Sequence, residues 1–136
     1  MLVQPFVAEV VSAGELSLVF LAGAFSHAAL KRPAPGDFRV QWEHGGSAVP
    51  TVPRAALVRD AERVLTAAAR QARIPVGEVA YARVDGVERE GRLVLMELEC
   101  LEPHLFFAFR AGAADAFAGA VLAGRPLSSP KEQHRP

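Results

Sequence analysis

At 136 residues and 14.5 kDa the chain is long enough for one domain with its own core and too short for two ordinary ones. Hydrophobic residues make up 51% and charged residues 22%, which excludes a disordered chain, and the balance of 15 basic against 15 acidic residues argues against an electrostatic nucleic-acid binder. No apolar run approaches the roughly 20 residues that span a bilayer and no basic lead-in opens a signal sequence, so the expectation is a cytoplasmic protein with no membrane partner.

Met1 to Val11 reads as an apolar extended run, an edge strand in which Pro5 sits where no ladder donor is needed. Gly14-Glu15 opens a second strand, Leu16 to Leu21, and the Ala22-Gly23 turn leads into a third, Phe25 to Arg32, as a hairpin. Alternation places His27 on one face with Phe25, Ala29 and Lys31, and a lone histidine there takes no assignment. Pro33 to Pro53 is a long loop carrying Gly36-Asp37-Phe38-Arg39 and, six residues on, Gly45-Gly46. Loops of that length in a compact domain are usually functional or disordered.

From Pro53 to about Ala72, Leu57, Val58, Ala61, Val64, Leu65 and Ala68 recur at helical spacing, which predicts an amphipathic helix covering the back of a sheet; its arginines form the wet face. Ile74-Pro75 ends it. Two strand-like runs follow, Val79 to Val87 and Arg92 to Leu101, joined by a charged turn containing Gly91. Tyr81, Arg83 and Asp85 share one face of the first run, Glu97 and Glu99 one face of the second, with Ala82, Val84, Val94, Met96, Leu98 and Cys100 on the core side. Alternating charge of this kind is by itself the solvated face of a half-buried sheet. If the runs pair as an antiparallel hairpin, Asp85, Glu97 and Glu99 converge beside Arg83, and their repulsion is relieved by a cation; oxygen ligands suit magnesium better than zinc. Cys100, the only cysteine, excludes an internal disulfide and reads as a small buried hydrophobe. His104 to Phe109 reads as core closure, Ala113 to Ala123 as a last helix, and Ser128 to Pro136 as a disordered tail. The expectation is an α+β fold, mostly antiparallel sheet covered by helices, with one domain over 1–127 and a tail over 128–136.

Four features in order carry a resemblance: the Gln-Pro-aromatic opening at Gln4 to Phe6 with Glu9 after it, the Gly-Asp-Phe-Arg loop with its glycine pair, Arg83-Val84-Asp85, and Glu97-Leu98-Glu99. Together they resemble the carboxy-terminal part of the ATP-grasp superfamily of carboxylate-amine ligases, and the Gly-Asp-Phe-Arg loop resembles that of bacterial glutathione synthetases and related peptide ligases. The resemblance implies ATP and Mg2+ as cofactors, with an acylphosphate formed on a carboxylate and displaced by an amine. It implies the backbone near Gln4 and Phe6 at the adenine edge, Glu9 at the ribose hydroxyls, and Lys31 as a weaker candidate for phosphate or substrate carboxylate. Arg39 and Arg83 would stabilise the transferring group, the glycine pair would let backbone approach the substrate, and Asp85, Glu97 and Glu99 would hold magnesium. Glu99 departs from the asparagine usual at that position and adds a negative charge. Such ligases are usually about twice this length, so the resemblance implies a fragment, a truncated reading frame or half of a split enzyme, working on small-molecule substrates once complemented by an amino-terminal half. The alternative is a non-catalytic protein that kept the fold and self-associates or binds a partner.

Overall fold

The computed structural model describes residues 5–123, and the sheet at its centre explains most of what the alternating sequence demands. Five antiparallel strands are arranged β3-β2-β1-β4-β5, with β1 spanning Glu15–Leu21, β2 Ala24–Arg32, β3 Ser47–Thr51, β4 Tyr81–Arg89 and β5 Arg92–Glu99. Three helices accompany it: α1 (Glu9–Ser12), α2 (Ala55–Ala72) and α3 (Ala113–Ala123). The expected α+β class holds. Among the described residues no helix is long and apolar enough to cross a membrane, and the expected tail from Ser128 lies outside them.

Every residue of β1 is buried, because the strand is central and covered on both faces. On one face α2 lays Leu57, Ala61 and Leu65, spaced four apart, over Leu18, Phe20, Ala82 and Val84. Burying each of the larger apolar side chains there is worth about 1.5–3 kcal/mol. The helix begins after Arg54 with no side-chain cap and ends where Arg73 turns left-handed (φ 59°), letting the Ile74 and Arg73 amides donate to the Ala69 and Arg70 carbonyls. On the other face Val19, Leu21 and Ala29 meet Leu105 and Phe106. The short aromatic segment after β5 does close that face, as the phenylalanine density suggested.

Three expectations are corrected. The amino-terminal run does not form a strand: residues 5–7 carry no regular structure and α1 follows. The remaining outer strand comes from inside the long loop, where Ser47–Thr51 pairs with β2 and places Pro50 on the sheet edge, the one location where a strand tolerates proline. Cys100 is exposed, since β5 ends at Glu99 and the chain leaves the sheet.

Two bulges shift the faces. Between Val19 and Phe20 the β1–β2 register slips, Val19 opposing His27 and Phe20 opposing Phe25, so Phe25 joins the α2 face rather than sharing a side with His27. The second falls between Asp85 and Gly86. The Glu90-Gly91 turn, both residues at positive φ (51° and 78°), sets Val87 opposite Val94 and Gly86 opposite Leu95; beyond it Asp85 faces Glu97 and Arg83 faces Glu99, leaving Met96 as the extra residue. Val94 and Met96 therefore pack with Val87 away from α2, while Leu98 keeps its place on the α2 face. A Cβ on Gly86 would lie 2.7 Å from the Val94 carbonyl oxygen, which is why glycine stands at this bulge.

Candidate active site

The sheet face opposite α2 carries a cluster of ionic groups that a solvated face would not build. Asp85 is 1% exposed and fully engaged. Arg83 Nε donates to its Oδ1 at 2.8 Å and Arg83 Nη2 to Oδ2 at 2.9 Å, while Lys31 Nζ donates to Oδ2 at 2.7 Å. Lys31 also pairs with Glu15 at 2.6 Å, and Arg83 Nη2 with Glu99 at 2.5 Å. The last Arg83 nitrogen, Nη1, donates to the His104 carbonyl at 3.2 Å. Antiparallel pairing of β2, β1, β4 and β5 produces this: Lys31 opposes Glu15 across one ladder, and Asp85 opposes Glu97 and Arg83 opposes Glu99 across another.

Burial works to lower the Arg83 pKa, but the hydrogen bonds and charge of Asp85, with Glu99 and Glu97, outweigh it and hold the guanidinium above its ordinary value. Glu97 makes no ion pair among the described residues. Partial burial pushes its carboxyl up, Glu99 and Asp85 add to the rise, and Arg83 and Lys31 only partly oppose it. Five carboxylates stand here, on Glu15, Glu43, Glu97, Glu99 and the buried Asp85, against the two cations of Lys31 and Arg83. Ser17, directly across the ladder from Asp85, has a buried hydroxyl with no hydrogen-bond partner among the described residues.

The charged centre lines a hollow of about 480 Å³ and opens at both ends. Through Glu15, Val40, Gln41 and Met96 it continues into a largely apolar hollow of about 360 Å³ walled by Phe6, Val7, Val10 and Phe38. Through Trp42, Ala48, His104 and Phe106 it continues into an aromatic cavity of about 610 Å³. Met96, displaced by the bulge, stands at the first junction.

Lys31, Arg83, Asp85, Glu97 and Glu99 are thus brought together, and Phe6 lies in the adjoining apolar hollow with its ring edge-on to Phe38 at 6.0 Å. Arg39 lines that hollow from an exposed position, folded back on Asp37 with Nη2 to Oδ2 at 2.7 Å; the pairing raises the guanidinium and holds the Asp37 carboxyl well below its usual range. Glu9 stands outside the hollow, bridged by Arg89 at 2.8 Å, which lowers its pKa to about 2. Gln4 lies outside the described residues. Gly46 is packed against its own loop: a Cβ there would fall 2.2 Å from the Val40 carbonyl oxygen. Sequence reasoning missed Glu15, whose pattern as a strand opener gives no hint of an ionic partner, and the aromatic cavity, whose phenylalanines read simply as core.

No protein-family model and no curated protein matches the chain. Among solved structures it is similar to D-cycloserine synthetase DcsG, at 26% identity and a TM-score of 0.72 over 88% of this chain. The chain carries part of the ATP-grasp fold. D-alanine–D-alanine ligase from Bacillus anthracis supports the same fold, at 17% identity and a TM-score of 0.54 for the structure complexed with ATP, and 15% and 0.53 for another structure of that ligase. The chain spans 41% of the synthetase and 37–38% of the ligase chains. In this chain the ionic cluster and its two flanking hollows all occupy one face of the sheet, with α2 and the apolar core behind it.

Proposed function

We propose that the chain binds ATP with magnesium along this face and provides the phosphoryl-transfer centre of an ATP-dependent carboxylate–amine ligation. One observation carries the reading: an apolar hollow suited to a flat base runs directly into a centre of opposed ionic groups, as a nucleotide with an apolar and a polyanionic end requires. Phe6 and Phe38 would wall the base, and Glu9 would reach the ribose only after leaving Arg89.

The donor set suits a divalent cation. Among the described residues no three metal-binding side chains are poised together, and Asp85 is already saturated by Arg83 and Lys31. The excess of carboxylates, the raised Glu97 and the unpartnered Ser17 hydroxyl nevertheless leave negative charge and a polar atom uncompensated at one place. Glu97 and Glu99 would hold magnesium, with Asp85 joining if Lys31 turns to the phosphates. Bound there, the ion would neutralise phosphate charge.

In the reaction a substrate carboxylate oxygen bonds to the γ-phosphorus as the bond to the bridging oxygen breaks and ADP leaves with the electron pair. The amine nitrogen then attacks the acyl carbon, the carbon–oxygen bond breaks, phosphate departs, and the nitrogen loses a proton. Arg83, fixed by Asp85 and Glu99, offers a stationary positive charge to the transferring group, and Arg39 would swing from Asp37 to join it. A second reading, a non-catalytic module that self-associates, is favoured by the exposure of Phe6, Phe38 and Trp42 around the same face.

Calorimetric titration with ATP, with and without magnesium, separates the two. Magnesium-dependent binding lost in Glu97→Gln supports the nucleotide reading. A folded wild type that binds no ATP, or binds it equally in the variant, overturns it, and concentration-dependent association in sedimentation would then favour the second.

A further inference from the structure

The aromatic cavity beyond the charged centre is built with more constraint than core closure needs. Its walls are rings from four segments of the chain: Trp42, Tyr81, Phe106, Phe107, Phe109 and Phe117. They brace one another, Phe107 against Phe117 at 5.2 Å, Tyr81 against Phe117 at 5.4 Å and Phe106 stacked on Phe109 at 5.4 Å. Together they line a half-open hollow of about 610 Å³, within the range of sites that hold a sizeable organic ligand.

The segment that supplies half of these rings is strained. Glu102 (φ 53°) and Phe106 (φ 47°) both adopt the left-handed conformation that side-chain-bearing residues avoid. Two buried polar side chains hold it there. Arg83 donates to the His104 carbonyl, and His27 Nε2 donates to the Leu105 carbonyl at 2.8 Å. That bond fixes the His27 tautomer, so Nδ1 accepts from the Ser26 hydroxyl at 2.8 Å, and Arg110 donates to the Ser26 oxygen at 2.6 Å. The aromatic walls are thereby tied to the same arginine that organises the charged centre.

Charge chooses the ligand. Where the cavity meets the centre, carboxylates outnumber cations, and Glu102 adds another at the rim. At Glu102 a carboxylate-ended ligand would be repelled, whereas an ammonium group is attracted and gains further from the ring faces. We propose that this cavity takes the bulky apolar side chain of a primary amine whose ammonium group is held at the Glu102 rim, clear of the Glu97–Glu99 edge. Resting on the ligase reading above, this assigns the class of amine that displaces phosphate.

Trp42 is the only tryptophan and lines the cavity, so its fluorescence reports occupancy. The full chain is titrated at pH 7 with 2-phenylethylamine, ethylamine and 3-phenylpropionate. The expected result is that 2-phenylethylamine binds at least about tenfold more tightly than either of the others, since a buried ring is worth more than the about 1.4 kcal/mol that tenfold represents. Ala108→Leu, which fills the cavity from an exposed wall position away from the charged centre, should weaken that binding at least about tenfold and leave ATP titration unchanged. Glu102→Gln, on the exposed rim, should weaken it about threefold. Equal binding of ethylamine, tighter binding of 3-phenylpropionate, or indifference of 2-phenylethylamine to both variants overturns the proposal, even where ATP binds. Selective amine binding in a chain that binds no ATP supports the amine site and overturns the ligase reading instead.

Discussion

Replacing Asp85 by alanine leaves two cations without their shared anion. Arg83 and Lys31 have side chains only 10% and 12% exposed, and three of the hydrogen bonds that hold them end on this carboxylate. Breaking a buried ion pair from one side costs about 3–5 kcal/mol, most of it the penalty of the charge left behind. A domain of this size is stable by only about 7–20 kcal/mol in total, so the change is a large fraction. Asp85→Asn retains an acceptor and should cost less, about 1.5–3 kcal/mol. Urea denaturation followed by far-UV circular dichroism at pH 7, with unchanged denaturant slope, measures both. The Lys31→Met, Asp85→Asn double variant should show a coupling of at least about 1 kcal/mol. An Asp85→Ala loss below about 1 kcal/mol, or one smaller than that of Asp85→Asn, would show that the cluster is solvated and the charge argument unsound.

Glu97→Gln should stabilise the protein at neutral pH, by less than about 1 kcal/mol because the group is exposed and screened. Its folded pKa is raised, so protonation favours the folded state: that contribution is complete below the ordinary value of 4.5 and is lost as pH rises through the folded value. The gain over wild type should therefore vanish by about pH 3, which urea midpoints across pH would show. Gly46→Ala should cost about 1–3 kcal/mol, since the new methyl group meets the Val40 carbonyl, and limited proteolysis should cut the loop around Trp42 faster than in wild type.

Patterns that depend on neighbours in sequence were legible. The α2 stripe and both hairpin turns follow from helical spacing and glycine at the turns, whereas the pairing of Asp85 with Glu97 depends on the bulge at Met96. What was lost depends on contacts between distant segments. Ser47–Thr51 looks like loop because Pro50 argues against a strand, and only β2 gives it an edge to occupy. Phe25 and Met96 fall on faces opposite to those alternation assigns, since each bulge adds one residue that no periodicity records. Glu15 carries no local sign that Lys31 will meet it sixteen positions later. The relation of His27 to Leu105 spans 78 positions and lies beyond any window of pattern reading.

The bulge at Met96 also bears on how the chain reaches its native state. A hairpin growing outward from Glu90-Gly91 without it would pair Asp85 with Met96 and Val84 with Glu97, turning both glutamates toward the helix α2. That unbulged ladder is the easier one to zip, and its defect emerges only when α2 docks and must cover two carboxylates. Covering by α2 thus favours the bulged register, the one that turns Leu98 rather than two carboxylates toward the helix. Deleting Met96 would remove the choice altogether, since the plain ladder would then set Asp85 against Glu97, Val84 against Leu98 and Arg83 against Glu99, which is the native pairing.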